Sequence, residues 1–178
     1  MKLIFLFIFL ICCEFKIFSQ NMKICWNPKK VISWNDFTTI LSQDSTDKDY
    51  SASTSAGIKL NLTHNLVVPY FNKKKSWVLF SKKESNLLLS HEIRHFDIVE
   101  LFARKIRYEF NTSIEKNMEC IYDKNMILLN NFQERYDFET NNGTIESEQV
   151  CWNEYISNEL NKLGNYKTTD KECSILRD

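Results

Sequence analysis

From Ser85 to about Phe110 the chain runs without a glycine or a proline. Within that stretch Leu88, Ile98, Val99, Phe102 and Ile106 fall with His91 and His95 on one broad stripe, the period of a long amphipathic helix. Ser81-Lys82-Lys83-Glu84 has the form of a capping box and Ser85 offers a second N-cap, so two starts are open. With 178 residues, 43% of them hydrophobic, the chain can bury one sizeable core around such a helix.

The helix carries a chemical pattern. In His91-Glu92-Ile93-Arg94-His95 two imidazoles stand four residues apart, offset on a helix by about 40° and about 6 Å, so both can reach one ion. Zinc takes neutral imidazole readily, and a catalytic ion keeps three protein ligands and one open position. Glu92 beside the first imidazole would then be the general base. An amphipathic helix with two incidental histidines is the plainer alternative. The pair with Glu92 between them favours a metal site with one zinc per chain.

Before the helix, residues 50–62, 66–71 and 76–80 alternate in polarity and are rich in β-branched and aromatic side chains, with breaks at 63–65 and 72–75. Val31-Ile32-Ser33-Trp34 is a further short strand candidate, and residues 42–49 read as a polar loop. A small antiparallel sheet feeding the helix is expected, with an edge strand open to an extended peptide. His64 falls in a turn. After Phe110, Met118, Tyr122, Leu129, Phe132 and Tyr136 mark a second helix, and residues 146–163 a third, burying Trp152, Tyr155, Ile156, Leu160 and Leu163 with Gly164 as its cap. The fold class is α+β: an N-terminal sheet, then three long helices. Residues 165–178 form a polar tail, loosely held except where Cys173 ties it down.

Lys2 followed by the apolar run 3–13 has the form of a secretory signal, so residues 1–20 are expected to be removed and residues 21–164 to form one domain. No membrane span is expected in the mature chain, and the destination is secreted, periplasmic or cell-envelope. Lysine plus arginine equals aspartate plus glutamate at 23 each, so no overall field draws nucleic acid. Export leaves Cys25, Cys120, Cys151 and Cys173, and two disulfides of undetermined pairing are the simple expectation. A four-cysteine zinc site is disfavoured because no two stand at C-x-x-C spacing.

Taken in order, Trp34-Asn35-Asp36-Phe37, Ser76-Trp77-Val78, His91 through Asp97 with Glu100 and Ala103-Arg104, and Tyr136-Asp137-Phe138-Glu139-Thr140 with Gly143, Gln149 and Trp152 resemble the DUF922 family. That family consists of bacterial secreted proteins regarded as zinc-dependent proteases. The resemblance spans nearly the whole mature chain and implies a zincin-like metallopeptidase acting on a peptide or protein substrate.

The third ligand is open at this point. Glu100 stands five residues after His95, about 140° round the helix, and should pair with Arg104 instead. The family's second motif reads Tyr-Asp-x-x-Thr and then, two residues on, His, where this chain has Asn142. If that histidine is the ligand, the chain is a catalytically inactive binding or scaffold protein. If the ligand is acidic, Asp137 supplies it, with Thr140 one turn on to orient the carboxylate. Glu139 and His64 are the next candidates. Tyr136 is either a donor to the developing oxyanion or a core residue.

Overall fold

The computed structural model describes residues 22–42, 50–114 and 116–176, so the expected signal segment and most of the 42–49 loop lie outside the described residues. The chain is α+β. Six short strands, β1 (Lys23–Cys25), β2 (Thr38–Ile40), β3 (Ala52–Ser53), β4 (Ala56–Asn61), β5 (Leu66–Asn72) and β6 (Trp77–Leu79), precede four helices: α1 (Asn86–Thr112), α2 (Met118–Thr140), α3 (Glu146–Lys162) and the short α4 (Asp170–Cys173).

The strands form two sheets rather than one. The first is antiparallel in the order β1-β5-β4, with Ile58 opposite Pro69 and Ile24 opposite Phe71. The second has the order β2-β6-β3, and its β2-β6 pair is parallel, unlike the all-antiparallel arrangement expected. A parallel pair needs a long crossover, and the excursion through β3, β4 and β5 supplies it. Residues 31–33 are not a strand. Asp36 Oδ2 accepts from the Ser33 backbone N–H at 3.1 Å, which turns Trp34–Asp36 into a single 3-10 turn that buries the Trp34 ring.

Helix α1 is the centre of the fold. Its start is Ser85, whose hydroxyl accepts from the Leu88 N–H at 3.2 Å, while Ser81 sits in a separate 3-10 turn. Ile98, Val99, Phe102 and Ile106 are buried, as their period required. One side of α1 packs on β4 and β5, and the other receives α2 and α3. Phe96 continues an aromatic chain through Phe71 and Phe37 to Trp34, with ring centroids 5.9, 5.1 and 5.0 Å apart. Each such buried ring or branched side chain contributes about 1.5–3 kcal/mol.

On α3, Trp152, Ile156 and Leu160 are buried, but Tyr155 lies exposed at the rim, with its ring 5.7 Å from that of Trp152. The cap of α3 is Leu163 rather than a left-handed glycine, and Gly164 opens a 3-10 turn. The polar segment that follows is held at more points than its composition suggested. Glu100, 0% exposed, accepts from the Arg104 Nε at 2.7 Å and from both the backbone N–H and the hydroxyl of Thr168. Arg107 donates to the Tyr166 carbonyl at 2.6 Å, and a Cys25–Cys173 disulfide ties α4 to β1. Cys120 and Cys151 are free and exposed, so one disulfide stands where two were expected.

Candidate metal centre

His91 and His95 project from the same face of α1, their rings edge to face at 4.8 Å. Opposite them α2 presents Gln133, Tyr136, Asp137 and Thr140, spaced three and four residues apart and therefore on one stripe. His91 Nε2 and His95 Nε2 lie 3.1 Å apart, and Asp137 Oδ1 is 3.1 Å from the first and 2.9 Å from the second. Tetrahedral zinc bound at about 2.0–2.2 Å spaces its ligand atoms roughly 3.3–3.6 Å apart, so the triangle, at 2.9–3.1 Å, is somewhat tighter and would open by a few tenths of an ångström around an ion.

The chemistry of the donor set fits a cation as well. Asp137 Oδ1 is buried and faces the two imidazole nitrogens, with no other partner among the described residues. Two ring nitrogens and one carboxylate oxygen, all converging, are what zinc accepts. Burial by itself would push the Asp137 carboxyl up, yet the adjoining imidazoles hold it below the usual carboxylate range. Burial likewise works against a charged His95, but Asp137, Glu92 and Gln133 outweigh it and raise the ring above its ordinary value.

The group lies on the floor of a cleft of about 920 Å³. One wall is the β3 segment, including Ser51, Ser53 and Thr54, and another is the turn 141–144 after α2. Thr54 fastens the first wall to α1 by donating to the Glu92 carbonyl at 3.1 Å. Glu92 lines the same cleft, 4% exposed, and its Oε2 has no hydrogen-bond partner among the described residues.

The second wall explains Gly143. Asn141, Asn142 and Gly143 all have positive φ, and a Cβ on Gly143 would stand 2.6 Å from the His91 Cβ. Only glycine allows the turn to close on that ring. Asn142 lines the cleft from this turn.

Other candidates fall elsewhere. His64 is exposed in the β4-β5 turn, and Glu139 is committed to Arg135 at 2.7 Å and to the Trp152 indole at 3.0 Å. Glu100 pairs with Arg104, as its angular position required. Tyr136 is buried under the histidines, stacked on His91 at 4.6 Å, and its one hydroxyl hydrogen faces the His91 carbonyl at 3.2 Å and Gln149 Oε1 at 2.9 Å as alternative acceptors rather than reaching the cleft wall. Burial pushes its phenol up, so it keeps its proton. Thr140 does not orient Asp137: its hydroxyl donates to the Tyr136 carbonyl at 2.7 Å and accepts from the Gly143 N–H at 3.3 Å.

Two partners of the histidines carried no role in the sequence. His91 Nδ1 meets Gln149 Oε1 at 3.1 Å, and His95 Nδ1 meets Gln133 Oε1 at 2.5 Å. For Gln133 the available signal was its place one turn before Asp137 on the same face.

The fold and the site together define an α+β protein with a His91, His95 and Asp137 group able to hold a metal ion. Compared with protein-family models, curated proteins and solved structures, the chain matches none. No helix among the described residues is long and apolar enough to cross a membrane.

Proposed function

We propose that this chain is an exported zinc-dependent metallopeptidase of zincin-like build, the activity implied by its resemblance to DUF922 proteins. The observation that carries the reading is the convergence of His91 Nε2, His95 Nε2 and Asp137 Oδ1 within 2.9–3.1 Å in a cleft that Glu92 also lines, its Oε2 buried with no hydrogen-bond partner among the described residues. A bound zinc would supply Lewis acidity, lowering the pKa of a water to about 7 and polarising a carbonyl.

The chain's own part is proton handling and alignment. Glu92 takes a proton from the attacking water as its oxygen bonds to the scissile carbonyl carbon, and returns it to the nitrogen as the C–N bond breaks. The edge strand β3 offers backbone to an extended peptide along the cleft. The Cys25–Cys173 disulfide is consistent with an oxidising compartment.

Metal analysis of the purified protein should find about one zinc per chain. Glu92→Gln should keep that zinc and abolish hydrolysis of a broad peptide library. Zinc retained by the unaltered chain with no hydrolysis would instead favour a non-catalytic binding protein of the cell envelope. Asn142 speaks for that second reading, standing where the resembled family has histidine.

A further inference from the structure

Resting on the metal-centre reading, we infer that Gln149 and Gln133 are positioning residues that lock His91 and His95 in the Nδ1–H tautomer, so that both Nε2 atoms present lone pairs to the ion. Each side of this lock is fixed by a group whose hydrogen-bond role has no alternative.

The first begins at Arg94, a guanidinium that can only donate. Arg94 Nε donates to Asn153 at 2.8 Å, so the atom it meets is the Asn153 carbonyl oxygen. Gln149 Nε2 donates to that same oxygen at 2.9 Å, and also to the Tyr136 hydroxyl at 2.6 Å. The Gln149 amide is thereby oriented, with Oε1 turned to His91 Nδ1. An amide oxygen has no hydrogen to give. The hydrogen in the 3.1 Å contact therefore belongs to Nδ1, and in the neutral ring, the form that binds a cation, Nε2 is bare.

The second begins at the backbone. Gln133 Nε2 donates to the His95 carbonyl at 3.1 Å, an acceptor with no alternative role. Its Oε1 then faces His95 Nδ1, which again must carry the hydrogen. The opposite tautomer would aim an N–H into the three-atom group and exclude a cation. Partners of this kind typically account for 10–100-fold in metal affinity. Here both acceptors are neutral amides rather than carboxylates.

The experiment uses the full mature chain, with zinc alone as the probe. Long-range ¹⁵N–¹H spectra of the metal-free protein at alkaline pH should show protonated Nδ1 and unprotonated Nε2 for both rings. Chelator competition should give about 10–100-fold weaker zinc binding for Gln133→Met and Gln149→Met. Gln133→Glu, which keeps an acceptor oxygen facing Nδ1, should bind at least as tightly as the parent. Nε2–H signals in the metal-free parent would overturn the inference, as would equal weakening by Met and Glu at position 133. A parent that takes up no zinc would defeat the proposed function while the ring spectra still decide the tautomers.

Discussion

Gly143→Ala puts the contact between the α2 turn and the candidate metal centre to a quantitative test. At Gly143 φ is +76°, and an added Cβ would meet His91 Cβ at 2.6 Å and Cγ at 2.7 Å. Both are atoms at the root of a buried side chain on the central helix, so they cannot swing away as a flexible end would. The left-handed backbone costs alanine about 1–2 kcal/mol. Forcing an extra carbon into a packed site costs about 1–3 kcal/mol more. The metal-free protein should therefore lose about 2–5 kcal/mol, which at this chain length lowers the Tm by roughly 5–15 °C. The ring that must move carries one of the three donors, so zinc affinity, measured by chelator competition, should fall about tenfold or more. Asn142→Gly is the control: its φ of 53° suits glycine, and stability should stay within about 1 kcal/mol of the parent. A Gly143→Ala protein with parental Tm and parental zinc affinity would refute the close approach and the reasoning built on it.

The metal-free and zinc-loaded proteins should respond oppositely to pH. The raised His95 contributes stability fully below about pH 6.5, and that contribution is lost as pH rises through its folded value; the lowered Asp137 contributes above about pH 4, and that is lost on acidification. The chelated protein should thus be most stable between those limits, while zinc, which needs a neutral imidazole, should stabilise more as pH climbs past 6.5; parallel urea-denaturation profiles would contradict this. Separately, Cys25→Ser should cost up to about 5 kcal/mol in urea denaturation, because the bond closes a loop with a sequence separation of 148. A loss under about 1 kcal/mol would mean that the network around Glu100 and Arg107 holds the C-terminal segment unaided.

What the sequence disclosed and what it hid divide along a physical line. Helix α1 was legible because its apolar period, its lack of glycine and proline and its Ser85 cap are local properties. Glu100 was legible for the same reason: an angle of about 140° from His95 is fixed by helix geometry alone. Strand pairing was less so, since β2 and β6 run parallel only because of where the intervening chain goes. Val31 and Ile32 have strand-like side chains, but Asp36 captures the Ser33 backbone N–H that follows them. Thr140 shared a face with Asp137, yet a threonine in a helix commonly returns its hydroxyl to the carbonyl four residues back, and here it does. The roles of Gln133, Gln149 and Gly143 depend on which surfaces meet across α1, α2 and the turn, information that no spacing along the chain contains.

The way the site is assembled separates the groups able to hold an ion from the groups that form the cleft walls. All three donors lie on long helices, and displacing one against the others requires sliding α2 along α1. That motion is opposed by the stacking of Tyr136 on His91 and by the two-point clamp of Gln133 on His95. Helix α1 is in turn fixed by the sheet beneath it, by Arg104 reaching the Leu160 carbonyl on α3, and by Glu100 and Arg107 reaching the C-terminal segment. The cleft walls are built otherwise: residues 51–54 belong to a two-residue edge strand and its flanks, and residues 141–144 to a turn. Helical supports give geometry precise enough for a metal, and short edges and turns can change shape or sequence at small energetic cost. Substitutions at Gln133, Gln149 and Asp137 should therefore act on ion affinity, whereas substitutions at Ser53, Thr54 and Asn142 should act on which peptides enter while leaving zinc content intact.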